Sequence, residues 1–238
     1  MKSYKKTLLV KPLKLSCILL CIATLSACEA LNTKSEQSSG TTTNTPSSSK
    51  SVTKPAKPTL AVVTGEKSID QAMQALLRKE EKPLTTDNVG YYTDLQYANM
   101  QQKLDDSVAI VTRNDSGIRI TFPGSSAFAT NSVRINDAAK KALAAVASIV
   151  STYDKTLVIV EGHTDDRGDP KYNQSLSEKR ALAVGENLMT QDIAMDRIVV
   201  MGFSSTRPVS SNETSEGRAQ NRRVALILRP IMAELDTK

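Results

Sequence analysis

The chain has 238 residues, with 31 Lys and Arg against 25 Asp and Glu, and a formal net charge of +6. Residues 1–27 hold five lysines and no acid, so the remainder carries 26 − 25 = +1, too little to suggest a nucleic-acid partner. Cys17, Cys21 and Cys28 all lie near the start, so no disulfide is expected to support the fold.

Taken in chain order, Lys2, Lys5, Lys6, Lys11 and Lys14 precede an apolar run at residues 15–25, and Leu25-Ser26-Ala27-Cys28 follows as a small-residue cleavage site. This pattern predicts a signal peptide over residues 1–27. The last four residues resemble a lipobox, which implies cleavage before Cys28 and acylation of that cysteine with palmitate-type chains. Each buried methylene contributes about 0.8 kcal/mol, so two or three chains would hold the protein on a membrane durably. Residues 32–58 are dominated by Ser, Thr, Lys and Pro, with Val52 and Ala56 the only apolar members, and read with Cys28 as a disordered linker over 28–58. Fully extended it reaches about 90 Å; as a flexible coil it averages about 30 Å.

Residues 59–106 read as a helical spacer or docking segment. Ser68 with Gln71 forms a capping-box pattern ahead of Ile69, Met73 and Leu76, Thr93 with Gln96 suggests a second cap, and Pro83 separates the two helices. Beyond residue 106 strands and helices alternate. Residues 108–112 and 118–122 flank Asn114-Asp115-Ser116-Gly117 and predict a hairpin. A helix starting near Asn136 carries Ala139, Leu143, Val146 and Val150 on one face, and residues 157–160 are apolar on both faces, as a central strand should be. A helix at 173–189 and strands at 198–201 and 224–228 complete the order β-α-β-α-β-β. The fold class expected is an α/β sandwich, a small mixed sheet packed with helices, over residues 107–230 with a tail at 231–238.

The most informative residues are Gly162-His163-Thr164-Asp165-Asp166-Arg167-Gly168, Tyr172-Asn173, and Leu176-Ser177-Glu178-Lys179-Arg180-Ala181. They continue into Arg197-Ile198, Gly202-Phe203, Arg207-Pro208, Glu216-Gly217-Arg218 and Asn221-Arg222-Arg223-Val224. Over about half its length the chain thereby resembles the OmpA-like peptidoglycan-binding domain family, represented by the C-terminal domains of OmpA, Pal and MotB.

The resemblance implies a non-catalytic domain that binds the diaminopimelate residue of the peptidoglycan stem peptide. Asp165 falls at the position that takes the ligand's ammonium and Arg180 at the one that takes its carboxylate. A zwitterionic head needs opposite charges side by side, and a guanidinium can clasp a carboxylate through two parallel hydrogen bonds. Such charge-assisted bonds contribute about 1.5–3 kcal/mol each. A few of them suffice for micromolar binding, about −8 kcal/mol. Without the resemblance, Asp165 and Arg180 read equally well as a structural ion pair.

Thr164 is expected as a backbone donor, Asn173 as a helix cap or ligand contact, Leu176 as pocket wall or core, and Ser177 as pocket lining. Of Arg222 and Arg223, one is expected to brace the pocket and the other to be solvated, with Asn221 beside them. The resemblance also implies that backbone amides of the loop Phe128-Ala129-Thr130-Asn131 hold the ligand carboxylate; many members carry a polar residue where this chain has Ala129.

Rival chemistry is poorly supported. His163 sits only two residues from Asp165 with no nucleophile motif nearby, so a triad with Ser177 lacks its usual setting, and the carboxylates Glu161, Asp165 and Asp166 have no recognisable hydrolytic pattern. Asp165, Asp166 and Asp169 lack calcium-loop spacing, and neither a metal nor another cofactor is expected. The expectation is an outer-membrane lipoprotein of the cell envelope, lipid-anchored with its domain facing the periplasm, that tethers membrane to wall. The alternative is a wall-anchored subunit of an envelope machine, with residues 59–106 docking a protein partner.

Overall fold

The computed structural model describes residues 59–129 and 132–233. The leader, Cys28, the linker, Thr130 and Asn131 lie outside the described residues. Twelve elements follow in order: α1 (Glu66–Leu77), α2 (Thr86–Lys103), β1 (Ile110–Asn114), β2 (Gly117–Pro123), α3 (Gly124–Ala127), α4 (Asp137–Thr152), β3 (Thr156–His163), α5 (Pro170–Met189), a 3-10 turn (Met195–Arg197), β4 (Ile198–Gly202), α6 (Ser215–Asn221) and β5 (Arg223–Pro230). The sheet order is β1-β2-β5-β3-β4, antiparallel except for the parallel pair β3 and β4. The hairpin of β1 and β2 and the strands β3, β4 and β5 form near their expected positions in a mixed sheet, while the short helices α3 and α6 are absent from the expected β-α-β-α-β-β order.

The period-2 pattern of the strands sorts the core into two layers. Val158 and Val160, with Val200, Leu226, Leu228 and Ile120, face α4 and α5. Leu157, Ile159, Val199 and Met201 face α1 through Ile69 and Leu76. The apolar run at 157–160 predicts burial on both faces, and all eight residues of β3 are buried, Glu161 and His163 included.

Several boundaries differ from the sequence reading for local reasons. β1 starts at Ile110 because the N–H groups of Val108 and Ala109 donate to the Asp105 carbonyl at 2.9 and 3.0 Å, closing a turn. Helix α1 starts at Glu66 with Gly65 before it; Ser68 is inside the helix and its hydroxyl donates to the Thr64 carbonyl. Helix α2 is capped at Thr85, whose N–H donates to Asn88 Oδ1 at 2.9 Å. Thr93 and Gln96 are buried on its inner face instead, and Gln96 Nε2 reaches Thr156 Oγ1 on β3 at 3.3 Å.

Residues 59–106 contribute to both core layers. Leu60, Met100 and Leu104 lie in the main cluster, Ile69 and Leu76 in the second, and Val62 forms a parallel bridge with Val200 at the edge of β4. Met100 is fully buried. Met100→Ala is expected to lower unfolding stability by about 2–5 kcal/mol, measured by urea denaturation. A loss below about 0.5 kcal/mol, the surface value, would show that the segment does not share the core.

Candidate functional site

The site region forms where β3 runs into α5. At Gly162 an added Cβ would meet the Ser177 carbonyl oxygen at 2.0 Å, so α5 presses directly on the strand's backbone. Ser177, fully buried, donates to the Gln174 carbonyl at 2.8 Å and accepts from the Ser204 N–H at 3.1 Å. It braces α5 against the chain leaving β4.

The loop between β3 and α5 carries Asp165. Helix α5 begins three residues earlier than expected, because Asp169 accepts from the Tyr172 N–H at 2.8 Å and Pro170 occupies the first turn, where a missing donor costs nothing. Asn173 is therefore no cap. Buried in the first turn, its amide donates to the Arg167 carbonyl at 2.8 Å and the Asp165 carbonyl at 3.5 Å, pinning the loop that bears the carboxylate. Thr164 spends its backbone N–H on the Ser204 carbonyl at 2.9 Å, so it is not a free donor, and its buried hydroxyl has no partner among the described residues.

Asp165 Oδ2 lies 2.7 Å from Arg222 Nη1, while Oδ1 accepts from the Arg167 N–H at 3.3 Å. Arg222, half-exposed, sits between α6 and β5. The carboxylate is thus paired with Arg222 and not with Arg180. Arg180 projects from the middle of α5. It lies 5.2 Å over the Phe128 ring and donates through Nε to the Ser132 carbonyl at 3.2 Å. Burial chiefly pulls the Arg180 pKa down, and the Arg222 cation adds to this while Asp165 opposes it. A cation kept partly dry next to a second cation favours an anion between them.

Phe128 is buried beneath Arg180, and Leu176 is half-buried on α5. The amides of Phe128 and Ala129 are bonded to the carbonyls of Gly124 and Arg134. The other two members of that loop, Thr130 and Asn131, lie outside the described residues. Tyr172 and Val133, both exposed, flank residues of this cluster in sequence; Tyr172 is close enough to Arg180 to affect its charge. Sequence reasoning gave neither a role, and only the exposure of large side chains marks them.

Asn221 is fully buried; it accepts from the N–H groups of Val209 and Ser210 and donates to the Ser210 carbonyl, holding that loop. Arg223 is buried too, donating to the Asn221 and Arg207 carbonyls, so it is not solvated. Ser177 is bonded to Gln174 and Ser204, and neither ring nitrogen of His163 has a hydrogen-bond partner among the described residues, so no triad is assembled. Among the described residues no group of three His, Cys, Asp or Glu is placed to hold a metal.

A separate charged cluster lies at the end of β3. Glu161 Oε2 is 3.2 Å from Arg119 Nη1 and 3.5 Å from His163 Nε2, and Oε1 is 3.6 Å from Arg207 Nη1. Burial pushes the His163 pKa down despite Glu161. Burial alone would raise Glu161, but His163 and the Arg119 cation reverse that and hold it low. Both folded pKa values therefore lie below their unfolded ones, 6.5 for His163 and 4.5 for Glu161. Stability from His163 is lost as pH falls below 6.5, where the unfolded chain takes up a proton the fold resists, and Glu161 adds a further loss below 4.5. The urea midpoint should therefore fall between about pH 7 and 5, and His163→Gln should flatten that slope; an unchanged slope would remove His163 as the cause.

The family model described as the OmpA family matches residues 127–222. The chain is 35% identical over 162 residues to the probable lipoprotein YiaD of Escherichia coli K12, covering 68% of this chain and 74% of that protein. It is 36% identical over 114 residues to the outer-membrane lipoprotein YfiB of Pseudomonas aeruginosa, covering 48% and 68%. Among solved structures, the cell wall anchor of the T6SS from Pseudomonas aeruginosa superposes with a TM-score of 0.51 at 29% identity, covering 57% of this chain and 96% of that one. With its sheet order, its β3–α5 loop and a relative matched over most of its length, the chain belongs to the OmpA family.

Proposed function

We propose that this protein is a non-catalytic tether between outer membrane and cell wall, held in the membrane through acyl chains on Cys28 and gripping the diaminopimelate stem peptide of peptidoglycan through residues 107–230. The observation that carries the grip is the grouping of one carboxylate, Asp165, with two guanidiniums, Arg222 at 2.7 Å and Arg180 nearby on α5. Peptidoglycan as the ligand, the lipid anchor and outer-membrane residence are consistent with relatives named as lipoproteins and with the cell wall anchor likeness.

Binding is then an exchange of partners. The ligand's ammonium takes Arg222's place on Asp165, and the released Arg222 joins Arg180 on the ligand's carboxylate. The Asp165–Arg222 pair is half-exposed on its arginine side, and pairs of that kind contribute only about 0–1 kcal/mol, so exchange is cheap. Arg180 is ready for a carboxylate: among the described residues its hydrogen bond uses Nε, leaving both Nη groups for a bidentate clasp. Phe128 supports Arg180 from below and Asn173 fixes the Asp165 loop, while Thr164, Leu176 and Ser177 act around them as supports or rim.

The full-length protein is expected to co-sediment with isolated peptidoglycan sacs, and free diaminopimelate should compete. Asp165→Ala and Arg180→Ala should each weaken binding by about ten- to a hundredfold, the cost of one or two charge-assisted bonds. Sacs that pull down both variants as well as wild type would sink the assignment. For the anchor, Cys28→Ala should abolish incorporation of labelled acyl chain and release the protein from the membrane fraction.

A second reading, docking of an envelope protein on residues 59–106, draws on Tyr91 and Leu95. They are 71% and 40% exposed and one turn apart on α2. Since that segment shares the core, the reading is tested in the whole chain: Tyr91→Ala with Leu95→Ala should lose a co-purifying envelope protein while keeping sac binding.

A further inference from the structure

The outer face of the sheet is only partly roofed by α1. Beside that roof lies a cleft of about 750 Å3, reached from β1, β2, β3 and β5 and walled by the loop 207–209 and α6. Register builds its floor: Pro123, Arg223 and His163 align in one row, and Ile110, Thr121, Ala225 and Glu161 in the next. The cleft is separate from Asp165, Arg180 and Arg222, none of which lines it.

Three features point to a ligand. The first is charge. Arg119, Arg207 and Arg223 face one lining carboxylate, Glu161; counting the exposed Glu66, 3.3 Å from Arg207, the balance is three cations to two anions, a surplus of one. Arg223 has no carboxylate bond and is held by backbone carbonyls. The second is His163, only 1% exposed, neither of whose ring nitrogens has a hydrogen-bond partner among the described residues; the Glu161 contact at 3.5 Å lacks the geometry. Leaving such a group unsatisfied is costly, and a bound polar atom would remove the cost.

The third is the cleft's make-up. Its lining is mainly apolar with a few convergent polar groups, and its volume falls within the roughly 300–1,000 Å3 of small-molecule sites. Arg207 is held 3.9 Å over the Phe203 ring, so this end is rigid. Exposed Ile110 and Val209 supply apolar cover at the other.

We propose that this cleft binds a small amphipathic anion, a single carboxylate or phosphate head on an apolar body. Arg119 and Arg207 take the head, an imidazole nitrogen of His163 bonds to it, and Ile110, Pro123 and Val209 cover the body. This site is additional to the peptidoglycan grip and does not rest on it.

His163 is the only histidine in the chain, so imidazole resonances of the full-length protein report this cleft alone. Titration with octanoate and with octyl phosphate should move those resonances saturably, and the tighter of the two identifies the head group. The uncharged 1-octanol should bind at least about tenfold more weakly, and Arg119→Gln should weaken anion binding by about tenfold, a difference near 1.4 kcal/mol. Glu161→Gln should tighten it, since the guanidiniums lose their internal competitor; a variant that serves only as structure would not. Arg119→Gln should leave sac co-sedimentation unchanged, and Asp165→Ala should leave the octanoate titration unchanged, so the two sites fail or stand separately. Absence of a saturable shift with both anions, an equal response to 1-octanol, or an Arg119→Gln variant that binds as wild type would overturn the proposal.

Discussion

The end of the domain that carries Asp165 and Arg180 depends on one contact, the seating of α5 on the backbone of β3 at Gly162. No side chain fits there, since a Cβ would stand 2.0 Å from the Ser177 carbonyl oxygen. That closeness lets Ser177 reach the Ser204 N–H and puts Asn173 under the carbonyls of Asp165 and Arg167. It also fixes the height at which Arg180 leaves the helix, over Phe128 and against Ser132. A helix shifted outward by a methyl group would loosen all three together, because closely packed interiors transmit such displacements.

The charged residues at the end of β3 divide between two surfaces within a few positions. Glu161 and His163 alternate onto the outer sheet face, where Arg119, Arg207 and Arg223 gather. Asp165, past the strand's end, turns toward Arg222 and the α5 side. The alternation of a strand is what separates them: residues two apart share a face, and the loop that follows is freed from that rule. The two clusters also differ in exposure. Glu161 and His163 are buried and mutually adjusted, whereas the Asp165–Arg222 pair opens to water on its arginine side.

The segment before the hairpin is bound into the same body. Helix α1 covers the second core layer and α2 contributes Met100 and Gln96 to the first. Arg197 ties the turn before β4 to the end of α4 and the start of β3, donating to the carbonyls of Val150, Tyr153 and Thr156. A half-buried guanidinium that donates to three carbonyls has its hydrogen-bonding needs met. Residues 59–106 therefore share the domain's core rather than hang from it.

Much of the fold was legible along the chain, since β3, α4 and β5 announce themselves through period 2 or 3.6 and through burial on one face or both. Chain order and the resemblance of the Gly162 to Val224 residues likewise identified the family and singled out Asp165 and Arg180. Local competition hid the boundaries: Thr85, Asp169 and the Asp105 turn end or begin elements where a plausible Ser68, Thr93 or Asn173 stood a few residues away. The partners of each charge were not legible at all. Asp165 joins Arg222 from 57 residues away, and Glu161 joins Arg119 from 42. Such pairings follow from sheet register and helix docking, which no local pattern encodes. The sequence by itself therefore determined which elements form and which chemical groups the site contains; the tertiary structure decided which of those groups meet, because that depends on how two faces of one sheet are packed.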